Sequence, residues 1–310
     1  MAGYVKNRYR QNLEPLVSVI CITRNHERFC IESLDSVFNQ TYKNIEWIIL
    51  DAASTDNTVE LIDNWLKEKG VRAVFFKEKE LKPITVNLNK AITVASGEFL
   101  QLLSLDDLLV KEKITTDVGL LKQKSDLYSL VFGMSQIIDA DSNLQFDVIP
   151  NGVIKEHSDN YFDQLVTGNI ISATAVLMRT SVLRVIGCYN EFWPYEDYPL
   201  WLKLANSGYL FIYNPTINSY YRRHHTSFSG TLDFKETRFE LLLEYSNVAD
   251  VRFKLRKELL DYGLNDKFKF KKLLPLYLKF NDFDFRLRIV GWNLPKTIKV
   301  KLLYFLSIRK

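Results

Sequence analysis

The stretch Ile45-Glu46-Trp47-Ile48-Ile49-Leu50-Asp51, continuing into Ala52-Ala53-Ser54-Thr55-Asp56-Asn57-Thr58, decides the fold class. Ile45–Leu50 is apolar at all but one place, the pattern of a strand covered on both faces. Small and polar residues close it, and Ser54, Asp56 and Asn57 are good N-caps for a helix from Thr58 to about Lys67. Working outward, Val17–Ile22 reads as an earlier strand and Glu27–Asn39 as a helix turning Ile31, Leu34, Val37 and Phe38 inward. Downstream, Val71–Phe76 reads as a strand, Ile84–Ala95 as a helix and Phe99–Leu103 as a fourth strand. Apolar strands alternating with amphipathic helices predict a mainly parallel sheet with helices on both faces.

In such sheets ligands sit beyond the carboxyl ends of the strands. That rule singles out the residues after Leu50 and after Leu103. Past that point the pattern is mixed. Leu127–Met134 and Ala173–Met178 read as strands, and Pro199–Ala205 as at least a helical turn. Leu210–Tyr213 and Ile217–Arg222 read as short strands joined by an Asn214-Pro215 turn. Residues 1–15 read as a polar tail, 16–230 as the main domain and 231–310 as a basic, mainly helical extension.

Composition narrows the class. With 310 residues, 47% of them hydrophobic, the chain can bury a sizeable core. Cys21, Cys30 and Cys188 are odd in number and lack CxxC spacing, so neither a disulfide framework nor a zinc site is expected, and a reducing, cytoplasmic compartment is. No apolar run reaches the length of a spanning helix, and no signal peptide is read at the start. The net charge of +4 is unevenly placed: residues 251–310 hold 16 Lys and Arg against 5 Asp and Glu. The lysines flank Leu and Phe, as in Lys269–Phe280 and Lys296–Ile308. An anionic membrane surface therefore fits better than nucleic acid, and packing on the main domain is the plain alternative.

Four clusters carry the chemistry. Asp51, at a strand end, can accept hydrogen bonds from a base or ribose, which helix capping does not explain. Ser104-Leu105-Asp106-Asp107 sets two carboxylates side by side, which repel unless a cation or a cap relieves them. Asp107 suits the cap, and Asp106 suits Mg²⁺ or Mn²⁺ on a diphosphate. Glu196 and Asp197 stand among Trp193, Tyr195, Tyr198 and Trp201, where desolvation would make a general base. N-capping by Asp197 explains the same residues equally well. Arg222-Arg223-His224-His225 ends a strand, either as a ligand for metal and diphosphate or as a solvated basic turn. Glycine-rich nucleotide loops, HExxH and GxSxG are all absent.

Order and spacing together point further. Val17-Ser18-Val19-Ile20-Cys21-Ile22-Thr23-Arg24-Asn25 resembles the opening strand of family 2 glycosyltransferases of the GT-A fold, and so do Ser36–Tyr42 and the segment from Asp51 to Thr58. Asn89-Lys90-Ala91-Ile92 and Ala95–Phe99 are similar to the elements leading to that family's DxD motif. Ile186–Glu191, Glu196–Tyr209 and Tyr221–Ser229 resemble its later motifs. The resemblance implies an inverting transferase that moves a sugar from a nucleotide-diphosphate sugar, a UDP-sugar first, onto an acceptor hydroxyl. It implies Thr23, Asn25, Asp51, Ser54 and Asp106 in the nucleotide pocket and Asp106 with His224 at Mn²⁺ or Mg²⁺. Asp197 would be the catalytic base with Glu196 beside it, and His225 a spacer. The first acidic position of DxD is Ser104 here, a departure that favours the rival expectation of a nucleotide-sugar-binding or scaffold protein with impaired catalysis. A nucleotidyltransferase is the weaker third reading. With a membrane-facing tail, a lipid-linked saccharide becomes the expected acceptor, as in surface-polysaccharide or glycolipid synthesis, with the enzyme peripheral on the inner face of the plasma membrane.

Overall fold

Seven consecutive buried residues, Val17–Thr23, form β1 at the middle of a parallel group, with β2 (Ile45–Asp51) on one side and β4 (Phe99–Ser104) on the other. The computed structural model describes residues 14–150, 154, 161–225, 234–245, 247, 248 and 251. β3 (Ala73–Lys77) extends the parallel group beyond β2. Helices α1 (Cys30–Phe38), α2 (Thr58–Lys69) and α3 (Ile84–Val94) link these strands. Gly70 closes α2 in the left-handed conformation, φ 65°, where glycine meets no Cβ clash.

The second half adds β5 (Leu108–Leu109), α4 (Lys113–Leu121), β6 (Tyr128–Ile138), β7 (Leu144–Ile149), α5 (Phe162–Leu165), β8 (Val176–Arg179), α6 (Thr180–Val185), α7 (Asp197–Asn206) and β9 (Leu210–Arg222). The sheet order is β3-β2-β1-β4-β8-β6-β9-β5, with β7 paired to β6. β8 runs antiparallel between β4 and β6, whereas β9 lies parallel to β6 and antiparallel to β5. The chain divides at Leu232 and Asp233 into two compact units, and in the second α8 spans Phe234–Leu243. The basic stretch 252–310 and the N-terminal tail to residue 13 lie outside the described residues.

Several local differences from expectation have physical causes. α1 starts at Cys30 rather than Glu27, because Glu27 is held in the loop. Its N–H donates to Asp56 Oδ2 (3.1 Å), and its Oε2 accepts the Asn57 N–H (3.0 Å). Phe38 is 38% exposed rather than inward, and it rests edge-on against Trp65. Ala173–Ala175 is a 3-10 turn leading into β8. The two short strands at Leu210–Tyr213 and Ile217–Arg222 are one strand, β9. Phe132 pairs with Tyr213 and Met134 with Ile217, so Asn214-Pro215-Thr216 form a bulge without ending the pairing. α4 carries a fully buried ion pair, Lys113 Nζ to Asp117 Oδ2 (2.8 Å), with Gln101 Oε1 also accepting from Lys113 (2.6 Å). Inward polar residues hide its helical stripe from a hydrophobic pattern. Among the described residues no helix is long and apolar enough to cross a membrane. The three thiols are free, and burial pushes Cys21 up to about 12 and Cys30 to about 11.

Candidate active site

Strand register sets the site. Thr23 pairs with Asp51 and Ile22 with Ser104, so three strand ends share one carboxyl edge. The loops beyond them are laced together. Asp51, only 1% exposed, accepts the Ser54 N–H through Oδ2 (2.9 Å) and the Ser54 hydroxyl through Oδ1. Ser54 Oγ in turn accepts the Asn25 N–H (2.9 Å), and Asn25 Oδ1 accepts the Thr55 N–H (2.8 Å). Asn25 itself has φ 55°, a left-handed conformation that asparagine tolerates better than most residues. Thr23 Oγ1 is buried with no hydrogen-bond partner among the described residues.

Beyond β4, Asp106 is 14% exposed at its side chain. Its Oδ2 lies 3.0 Å from His224 Nε2 and 3.8 Å from His26 Nε2. One ligand atom from each of His26, Asp106 and His224 lies within 4.8 Å of the other two. Asp106 Oδ1 is buried without a hydrogen-bond partner among the described residues. Burial pushes the Asp106 carboxyl up, but the His224 hydrogen bond, the adjacent His26 and the Ser104 hydroxyl outweigh it and hold the carboxyl below its usual range. Burial also keeps His26 below the usual imidazole value, against the pull of Asp106. Two imidazoles beside a carboxylate with an unused buried oxygen fit a divalent cation.

Asp107 does a different job. It is fully enclosed, its Oδ1 accepts the Arg222 N–H (2.9 Å) and its Oδ2 the Thr174 hydroxyl, so it ties the loop to β9. Burial and the neighbouring Asp106 charge raise it well above the usual carboxylate range. Arg222, with no exposed side-chain surface, donates from Nε to Asp106 O (2.7 Å) and from Nη2 to Glu32 Oε2 (2.7 Å). Its Nη1 donates to Asp139 O (3.1 Å) and Ser142 Oγ (2.8 Å), and its guanidinium lies 4.9 Å from the Phe29 ring centroid. Phe29 contacts the His224 ring at 4.8 Å between centroids. His225 is exposed.

The second acidic pair opens α7. Glu196 occupies the cap position and makes no side-chain capping bond, while Asp197 is the first helical residue. Asp197 Oδ2 accepts from Asn169 Nδ2 (2.6 Å) and Oδ1 from the Tyr198 N–H (2.6 Å). Both carboxyls keep a partial opening to solvent, yet protein packed around them desolvates the charges. Burial, with Asp197 adding repulsion, pushes Glu196 up to about 8, and burial raises Asp197 too. Trp201 lies in the core, 1% exposed.

Thr23, Asn25, Asp51 and Ser54 thus gather on one edge, and Asp106 meets His224 as expected. His26 was not anticipated. The signal for it was position alone: it follows Thr23-Arg24-Asn25, where β1 delivers the chain to the same edge.

Fold and site together define a GT-A glycosyltransferase, a sheet whose carboxyl edge presents an acidic loop. TarS from S. aureus, solved as residues 1–349 in complex with UDP-GlcNAc, superposes with a TM-score of 0.59 at 17% identity, over 76% of this chain and 67% of that one. The mannosyltransferase PcManGT from Pyrobaculum calidifontis, in complex with GDP-Man and Mn²⁺, gives 0.58 at 16% identity, over 96% of this chain and 87% of that one. These identities speak to the fold. Residues 18–187 match the family described as glycosyl transferase family 2, and the chain belongs to it. In sequence it is 30% identical over 234 residues to WfaP of Escherichia coli, a UDP-Glc:alpha-D-GlcNAc-diphosphoundecaprenol beta-1,3-glucosyltransferase, covering 75% of this chain and 85% of that one.

Proposed function

We propose that residues 16–230 form the catalytic domain of an inverting transferase that moves a sugar from a UDP-sugar to a hydroxyl of a lipid-linked saccharide, in surface-polysaccharide or glycolipid synthesis. The observation that carries this reading is the meeting of Asp106 and His224 at the sheet edge, with a buried carboxylate oxygen left unused. Similarity to WfaP supports the donor and the diphosphoprenol-linked acceptor.

The nucleotide would lie over Thr23, Asn25, Asp51 and Ser54. The Thr23 hydroxyl and the remaining lone pairs of Asp51 are the groups free to meet the base and ribose. Asp106 and His224 would hold Mn²⁺ or Mg²⁺, which when bound supplies charge stabilisation for the leaving diphosphate. Asp197 would take the proton of the acceptor hydroxyl as that oxygen attacks the anomeric carbon from the side opposite the nucleotide. Burial raises its proton affinity, the direction a general base needs. Asn169 orients the Asp197 carboxylate, and Glu196 stands beside it at the start of α7. Ser104, the departure that favoured an impaired protein, helps hold the Asp106 carboxyl below its usual range.

Asp197→Asn should lower sugar transfer from UDP-glucose to a diphosphoundecaprenol-linked GlcNAc by about 10²–10⁴-fold, leaving UDP affinity within a few-fold. Transfer within a few-fold of wild type would remove Asp197 as the base. The excess of Lys and Arg over residues 251–310 suits an anionic membrane surface, where such an acceptor resides.

A further inference from the structure

His26 is the side chain that the family reading leaves without a task. Its ring is mostly buried, Nδ1 has no hydrogen-bond partner among the described residues, and Nε2 is 3.8 Å from Asp106 Oδ2, outside hydrogen-bond reach. A buried imidazole that makes no hydrogen bond is costly to keep unless something outside the chain meets it. The ring is nonetheless firmly placed. The His26 N–H donates to Thr58 Oγ1 (2.9 Å), and the His26 carbonyl accepts from Phe29 (2.9 Å) and Cys30 (2.8 Å) as α1 begins. Its ring stands perpendicular to that of His224, with 6.1 Å between centroids. Both Nε2 atoms flank the one Asp106 oxygen, while the other oxygen is buried and unused.

We propose that His26 is a third protein ligand of the divalent cation. With Asp106 and His224 it forms a two-imidazole, one-carboxylate site. This rests on the reading that Asp106 and His224 hold the ion. Replacing a hard oxygen ligand with imidazole nitrogen shifts preference from Mg²⁺ towards Mn²⁺, Co²⁺ and Zn²⁺. The three ligands come from the loops after β1 and β4 and from the end of β9, so the ion would also bridge those segments.

The test is Co²⁺ titration of the full chain with UDP present, followed by visible absorption and by calorimetry, with Mg²⁺ titrated in parallel. His26→Ala should weaken Co²⁺ at least about 10-fold, change the Co²⁺ spectrum and alter Mg²⁺ affinity less than about threefold. His26→Gln, which keeps the bulk of the ring, should do the same, and metal-free melting of both variants reports their folding. Unchanged Co²⁺ affinity and spectrum in both variants would overturn the proposal. Asp106→Asn separates the two levels. If it weakens Co²⁺ while the His26 variants do not, the proposal alone fails. If Asp106→Asn has no effect either, the underlying metal assignment fails with it.

Discussion

Replacing Arg222 by methionine would test whether the acidic loop is held in place by the strand behind it. The change keeps an unbranched apolar stem of comparable reach and deletes the guanidinium. Four donated hydrogen bonds go: to Asp106 O, Asp139 O, Ser142 Oγ and Glu32 Oε2. Glu32 is 47% exposed and can rehydrate, whereas the carbonyl of Asp106 is stranded beside the site. Removing one member of such a network costs about 3–5 kcal/mol when the remainder is buried. Water at Glu32 and Ser142 puts this case at the lower end. At roughly 2–4 °C per kcal/mol for a domain of this size, melting should fall by about 6–12 °C. Asp106 would lose the tether of its own backbone, and His224 follows Arg222 by two residues just past the end of β9, so kcat should fall by about 100-fold for a misplacement of about 1 Å. Differential scanning calorimetry and single-turnover transfer from a UDP-sugar, below the variant's melting range, are the assays. A variant that melts within 2 °C of wild type, as about 1 kcal/mol or less would allow, refutes the buried-network account. A large melting shift with unchanged kcat would separate scaffold from site.

Glu196 gives a stability prediction with a definite sign. Its proton is held up to about pH 8 in the folded chain, against an ordinary value of 4.5. The stability this contributes is full below about 4.5 and is lost as pH rises through about 8. Urea titration should therefore show Glu196→Gln gaining on wild type at pH 9 relative to pH 5, and equal differences at both would refute it. Thr23→Val removes a buried hydroxyl that has no protein partner. It should leave the ligand-free protein equally or slightly more stable, by up to about 1 kcal/mol, while weakening UDP several-fold in calorimetry. Undiminished UDP affinity would take Thr23 out of the nucleotide pocket.

The first half of the chain was legible because its signals are local. β1, β2 and β4 are runs of apolar residues, and each ends on the group that faces the ligand edge. The second half resists such reading for reasons visible in particular residues. α4 turns Lys113 and Asp117 inward, so its core face is partly charged. β7 is largely exposed, with Leu144 and Phe146 facing solvent, and shows no buried face to find. At Asn214-Pro215 the local turn signal is real, but pairing with β6 on both sides absorbs it as a bulge. The site follows the same division. Asp51 and Asp106 were singled out as candidates from strand ends, and His224 from a motif. The convergence of His26 upon them depends on loops whose side chains bond across about thirty positions, from Asn25 to Ser54 and from Glu27 to Asn57.

The placement of β9 at one flank of the sheet has a consequence for how the chain is made. Among the described residues β5, directly after Asp106 and Asp107, pairs only with β9. Until a ribosome has delivered residues 210–222, Asp107 and β5 lack the strand they bond to, and β6 presents an unpaired flank. Open flanks of this kind recruit other chains during synthesis. A product stopped short of Leu210 would therefore be both inactive and prone to aggregate. The segment that braces the acidic loop is thus also the one that covers the open flank of β6.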